Sequence, residues 1–140
     1  MMLSCPPYFD LEVYSDGDGD ISAMTWDEFL VGYRAIITEA VKLLKPNTFI
    51  VWVITEIRDK KTGLYRNFVG KTVDAFEDAG ASYYNEIILA TPVGSVAQMS
   101  EKQMRASRKL GRRHQNVLVF VKGDPKKATA KLDPDTPIVV

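Results

Sequence analysis

Residues 48–55 read Thr-Phe-Ile-Val-Trp-Val-Ile-Thr, an unbroken apolar run rich in β-branched side chains. Eight residues are too few for a membrane span and suit a strand. The run does not alternate with polar residues, so it predicts a strand covered on both faces, as in a parallel sheet. Its flanks agree with that reading. Upstream, Thr25 and Glu28 form a Thr-x-x-Glu capping box ahead of Trp26, Phe29, Leu30, Tyr33, Ile36, Ile37, Ala40, Val41 and Leu44. Three- and four-residue steps of this kind predict an amphipathic helix over 25–44, stopped before Pro46, with Lys42 and Lys45 suited to its negative end. Downstream, Glu56 to Gly63 is a charged loop.

Further units follow. Tyr65, Phe68, Val69, Thr72, Val73 and Phe76 predict a second helix with Gly80 just past its end. Residues 81–91, apolar at Ile87, Ile88, Leu89 and Ala90, and residues 116–122, Asn-Val-Leu-Val-Phe-Val-Lys, predict two more strands. Met1 to Ser4 reads as the end of another strand, a stump of an element that begins upstream. The order is strand, helix, strand, helix, strand, loop, strand. This is an α/β pattern, whose ligand sites lie beyond the carboxyl ends of the strands. From Gly123 to Val140 the chain is rich in Lys, Asp and Pro without periodicity, which predicts a flexible tail after a domain over 1–122.

Composition narrows the classes of function. The chain has 140 residues, 46% hydrophobic and 26% charged, which suits one soluble globular domain. Lys plus Arg and Asp plus Glu are both 18, so any nucleic-acid footprint must be a local patch. One cysteine excludes an internal disulfide framework, and one histidine speaks against a His/Cys metal site. No signal peptide or membrane span is expected, and a cytoplasmic setting follows. Ser15-Asp16-Gly17-Asp18-Gly19-Asp20 invites a calcium reading, with Asp27 as the last acid. Ile21 at the glycine position, and no helix before the loop, favour a solvated turn.

Two stretches carry chemistry. Ser4-Cys5-Pro6-Pro7-Tyr8 ends the first strand. Two prolines without N–H groups fix the exit of the chain and leave rigid carbonyl acceptors beside the face of Tyr8. That arrangement suits a planar ring carrying an amino group. Phe9 is either a second apolar wall or core, and Asp10 and Glu12 lie close enough to touch a ligand. The second stretch is the long loop over 92–115, about 24 residues without sheet pattern, a length that is often functional. It holds Lys102, Arg105, Arg108, Lys109, Arg112, Arg113 and His114 against Glu101. Arg105, Arg108 and Arg112 have the spacing to share one face of a short helix. They suit contacts to a phosphate backbone. Arg58 and Asp59, after the second strand, either line the same site or pair with each other.

In this order the pieces resemble the catalytic half of a DNA amino-methyltransferase. That family's signature is Asp, Asn or Ser, then Pro-Pro, then Tyr, Phe or Trp, and Cys5-Pro6-Pro7-Tyr8 occupies those four positions with Ser4 just before. Leu44-Lys45-Pro46-Asn47 is similar to the family's Leu-Lys-Pro-Gly turn, and His114-Gln115-Asn116 to the start of its last strand. The stretch also resembles phage and prophage modification methylases. The resemblance implies methyl transfer from S-adenosyl-L-methionine to the exocyclic amine of a flipped adenine (N6) or cytosine (N4) in double-stranded DNA. It implies that Ser4, Cys5, Pro6, Pro7 and Tyr8 are the catalytic residues. The first motif side chain and the Pro6 carbonyl would take the two N–H bonds, and Tyr8 would stack on the base. It also implies half of a Rossmann-like methyltransferase sheet, ordered 1-2-4-3 in this chain with strand 4 antiparallel.

Two departures from the family pattern are visible. Cys5 stands where the family has an oxygen acceptor, and a thiol is a weak acceptor. The cofactor half is missing, because no Gly-rich turn leads from a strand into a helix. An N-terminal half or a second chain is therefore expected at the edge of strand 1. Two other readings compete. One is an inactive remnant or DNA-binding module that kept the basic loop. The other is a hydrolase pairing Cys5 with His114.

Overall fold

The computed structural model describes residues 1–9, 20–91 and 96–132. Strands β1 (Met2–Ser4), β2 (Thr48–Ile54), β3 (Ser82–Ala90) and β4 (His114–Lys122) form one sheet in the order β1-β2-β4-β3. β1 runs parallel to β2, while β4 is antiparallel to both β2 and β3. This is the half-sheet that the sequence predicts. Helices α1 (Trp26–Leu43) and α2 (Phe68–Asp78) pack on one face of it, a single 3-10 turn over Ile21–Ala23 precedes α1, and α3 (Val96–Ser107) and α4 (Pro125–Thr129) flank β4 in the chain. No helix among the described residues is long and apolar enough to cross a membrane.

The core follows from two periodicities meeting. Ile50, Trp52 and Ile54 alternate onto one face of β2, beside Phe120 and Leu118 of β4. Phe29, Tyr33, Ile37 and Val41 of α1, and Phe68, Ala75 and Phe76 of α2, close over them. The polar side chains at the centre of this core bond one another. The Trp52 indole donates to the Tyr33 hydroxyl at 2.8 Å, which lies 3.1 Å from the Thr72 hydroxyl, and Thr72 donates to the Phe68 carbonyl. Trp52 and half-buried Trp26 are thus core residues.

Helix ends are closed from outside the helices as well as locally. The expected capping box is present, with Thr25 and Glu28 each accepting the other's backbone N–H. At the far end of α1, the Lys122 ammonium reaches the carbonyls of Val41 and Leu44 at 2.7 and 2.8 Å, a contact from the last strand. Asn47, at the end of the Leu-Lys-Pro-Asn turn, has φ of 57°. Asn is one of the few residues besides Gly that adopt this left-handed conformation readily.

Several expectations change. Tyr65 lies outside α2, which starts at Phe68 after Asn67 at φ 56°. Tyr65 pairs in an isolated bridge with Arg58 instead. The loop over 92–115 contains α3, which ends at Ser107. Arg108 follows at φ 56° and Arg112 lies beyond the helix, so the three arginines do not share a helical face. Past Lys122, Asp124 caps the short α4, which packs on the ends of β2 and β4 and buries Ala128. β2 is not evenly covered. Its second face (Phe49, Val51 and Val53) continues into Leu3 of β1 and Ile87 of β3, which are 64% and 56% exposed. The helices lie on the other face. Asp10, Glu12, Asp16 and Asp18, and the end of the tail over 133–140, lie outside the described residues.

Candidate active site and nucleic-acid interface

The motif leaves the sheet at the carboxyl end of β1. Ser4 stands opposite Trp52 of β2. Cys5 is exposed, Pro6 is buried, and Pro7 and Tyr8 are half-buried. Phe9 has φ of 53° and its ring is buried against Trp26 and Phe29 at 5.1 and 5.2 Å. A non-glycine residue in this region carries backbone strain of about 1–3 kcal/mol. The aromatic cluster offsets that cost and fixes the chain immediately after Tyr8. Of the two readings of Phe9, core is the one observed.

Tyr8 is tied at its tip. Its hydroxyl donates to the Val53 carbonyl at 3.4 Å and accepts from the Gln115 side-chain amide at 3.2 Å. Val53 is near the carboxyl end of β2 and Gln115 is at the start of antiparallel β4, so both lie at the end of the sheet that β1 opens onto. Cys5 follows β1 and His114 opens β4, with β2 between the two strands.

Beyond β2 the chain folds into a tight hairpin. The Asp59 carboxylate accepts from the backbone N–H groups of Lys61 and Thr62 at 2.9 and 2.7 Å and from Arg66 at 2.5 Å. Bonding to Thr62 is the main reason that its pKa lies below the usual carboxylate value. Glu56 turns the other way. It accepts from the N–H groups of Ile57 at 3.1 Å, Phe68 at 2.6 Å and Val69 at 3.4 Å. It thereby caps α2, whose own N-cap Asn67 makes no side-chain capping bond.

With both acids engaged in this way, cations dominate the space between this hairpin and the segment before β4. A cavity of about 600 Å³ is lined by Thr55, Arg58, Lys60, Tyr65, Lys109, Arg112, His114 and Gln115, among others. The Arg58 guanidinium lies 3.7 Å from the Tyr65 ring centre and that of Arg112 lies 4.9 Å away. Hydrogen bonding from Arg112, followed by the charges of Arg112 and Arg58, lowers the Tyr65 phenol pKa. Arg112 is itself anchored to the Thr55 hydroxyl at 2.6 Å and to the Glu56 carbonyl.

The seven basic-stretch residues thus divide. Lys109, Arg112 and His114 line this cavity, and Arg108 lines its neighbour. Arg105 pairs with Glu101 on α3 at 2.8 Å, Lys102 is exposed on the same helix, and Arg113 turns to the Thr91 carbonyl. Arg58 lines the cavity, while Asp59, also at its wall, pairs with Arg66. Sequence reasoning missed Tyr65 and Gln115 as site residues. Position was the available signal, since both follow or begin strands at the ligand end of the sheet.

A family model described as DNA methylase matches residues 1–137. No curated protein matches the chain. Among solved structures, the PvuII DNA methyltransferase (cytosine-N4-specific) is similar with a TM-score of 0.62 at 13% identity, over 95% of this chain and 48% of that one. A DNA modification methylase from Thermus thermophilus, complexed with S-adenosyl-L-methionine, gives 0.59 at 16% identity, over 88% and 44%. The M1.HpyAVI–SAM complex gives 0.53 at 14% identity, over 89% and 43%. At these identities the likeness is one of fold, and this chain spans less than half the length of each.

Proposed function

The chain belongs to the DNA methylase family, and from that premise we propose that it is the base-positioning half of a DNA amino-methyltransferase. The acceptor is the exocyclic amine of an adenine or cytosine extruded from the duplex. An aromatic amine is a poor nucleophile because its lone pair is delocalised into the ring. Accepting its two N–H bonds favours the geometry in which the lone pair is directed out of the ring plane. The Pro6 carbonyl and an oxygen or sulfur from Ser4 or Cys5 supply the two acceptors, and Tyr8 stacks on the base. What supports this assignment is the tie from Tyr8 to Val53 and Gln115 at the carboxyl ends of β1 and β2, in a chain matched by the family model almost throughout.

S-adenosyl-L-methionine supplies the electrophilic methyl group. The described residues do not fit a complete site for it. None of the strand-to-helix turns among them is Gly-rich, and the outer edge of β1 meets no further strand. We therefore assign the cofactor to an N-terminal half, or a second chain, that pairs with β1 and covers the apolar sheet face around Leu3 and Val51. Lys102, Arg105, Arg108, Lys109, Arg112, Arg113 and His114 form the DNA-facing surface, with the strongest demand on those that line the cavities. A modification methylase of phage or prophage type, working in the cytoplasm, is consistent with these assignments. A DNA-binding module without transfer activity is the second reading, and the Cys5 thiol, a weak acceptor, is what favours it.

The test combines the chain with a cofactor-binding half and follows labelled methyl into duplex DNA. Incorporation that is lost on Tyr8→Ala is expected. DNA that stays unlabelled while the complex binds the cofactor overturns the enzymatic reading.

A further inference from the structure

The cavity lined by Gln115 does not stand alone. A second cavity of about 630 Å³ shares Arg58, Tyr65, Lys109 and Leu110 with the first and adds Arg108 and Thr62. The two cavities therefore adjoin along the four shared residues and are taken together as one groove. At one end of it Gln115, which lines the first cavity, holds the Tyr8 hydroxyl. The groove runs past Tyr65 towards the end of α3. The cations along it come from two separate segments. Arg58 belongs to the hairpin after β2, while Arg108, Lys109 and Arg112 precede β4. Two acids, Glu56 and Asp59, also line the first cavity, and their carboxylates are engaged, Glu56 with the first turn of α2 and Asp59 with its own turn and Arg66. Lys109 is the residue common to both cavities whose head group lies over the hairpin. A Cβ added at Gly63 would come within 2.7 Å of its ammonium.

We infer that this groove holds successive backbone phosphates of the DNA strand whose base stacks on Tyr8, with Lys109 at the crossing point and Arg58 and Arg108 on either side. The inference rests on the DNA reading above and makes it local. A flipped nucleotide stays joined to its neighbours through its phosphates, so a site that receives the base must also receive the strand beside it. A groove with guanidinium and ammonium groups on both walls, beginning at the stacking residue, provides for that strand. Arg105 and Lys102, on the exposed side of α3, are outside it.

Salt-dependent binding of a labelled duplex with one unpaired base tests the groove in the full 140-residue chain. For every backbone phosphate that a side chain ceases to neutralise, the slope of log affinity against log salt becomes shallower by about 0.9. Lys109→Gln and Arg108→Gln are each expected to lower the slope by about that amount and to weaken binding about three- to tenfold at ~0.1 M salt. Lys45→Gln, at the opposite end of β2, is expected to leave the slope unchanged. If the wild-type chain binds DNA and the groove variants keep its slope, the groove is wrong while the DNA reading stands. An equal loss in Lys45→Gln also overturns the groove, because binding is then a general charge effect. No binding of DNA at low salt overturns both.

Discussion

The Gln115 side-chain amide donates to the Tyr8 hydroxyl at 3.2 Å, across 107 residues of sequence. The same hydroxyl donates to the Val53 carbonyl at 3.4 Å. A ring held at its tip by β2 and β4, and packed against the core, has its orientation fixed. Gln115→Leu removes one tether and keeps the volume. Affinity for an oligonucleotide with an unpaired fluorescent purine is expected to fall about three- to tenfold, the effect of one hydrogen bond of ~0.5–1.5 kcal/mol. The Tyr8 ring signals in the NMR spectrum should broaden in the same variant. Unchanged affinity and unchanged signals would remove Gln115 from the site.

Glu56→Ala takes away the carboxylate that accepts from Ile57, Phe68 and Val69. Loss of an N-terminal cap costs about 0.5–2 kcal/mol. The urea midpoint should drop accordingly, with Glu56→Gln recovering part of the loss because an amide oxygen still accepts. Identical midpoints for the alanine variant and wild type would show that the cap contributes nothing.

The tyrosines should titrate in a set order. Tyr65 is lowered, chiefly by the hydrogen bond from Arg112, while Tyr83 is raised by burial and the Glu86 charge. Tyr33 is raised much further by burial. For Tyr65 the folded state favours the phenolate, so its stabilising contribution is absent at neutral pH. It appears as pH rises through the folded pKa and is complete above the unfolded value. Tyr33 has the opposite sign. Its contribution is present below the ordinary phenol pKa and is lost as alkali ionises the unfolded chain first. Phenolate absorbance across a pH series, with Tyr65→Phe to assign the earliest transition, checks the order. Arg112→Gln should move that transition upward, and an unmoved transition would sink the assignment to Arg112.

Cys5→Asn replaces a weak sulfur acceptor with an amide oxygen at an exposed position. In the complex with a cofactor-binding half, methyl transfer should rise about tenfold, the equivalent of ~1.4 kcal/mol in the transition state. A rate that stays level or falls would mean that Ser4 supplies the oxygen or that the first acceptor is dispensable.

Much of the fold was legible because burial writes itself into spacing. Ile50, Trp52 and Ile54 of β2 and Phe29, Tyr33, Ile37 and Val41 of α1 are the buried subset of runs visible in the sequence. The Thr25–Glu28 box marked the start of α1 correctly. The basic spacing suits a short helix carrying Arg105, Arg108 and Arg112, but α3 ends at Ser107, where Arg108 turns left-handed. The residues of α3 are good helix formers, and nothing in the basic spacing after it marks that stop. Tyr65 stands three residues before Phe68 and so mimicked a helical step, until the left-handed Asn67 separated the two. The Pro-Pro-Tyr motif stood out in the sequence. The contact of Gln115 with Tyr8 did not, because only the antiparallel insertion of β4 brings that residue to Tyr8. The grouping of Arg58, Lys109 and Arg112 around Tyr65 depends in the same way on the hairpin after β2.

The prolines that follow β1 have a second effect. An unpaired strand edge invites another copy of the chain to add to it, and a long flat edge can seed open-ended stacking. Here the parallel pairing stops after Met2, Leu3 and Ser4, and one residue later come Pro6 and Pro7, which have no N–H to offer. At the carboxyl end of β1 an incoming strand therefore finds the ladder closed. The two prolines thus act as a gatekeeper that keeps edge pairing from running on past Ser4.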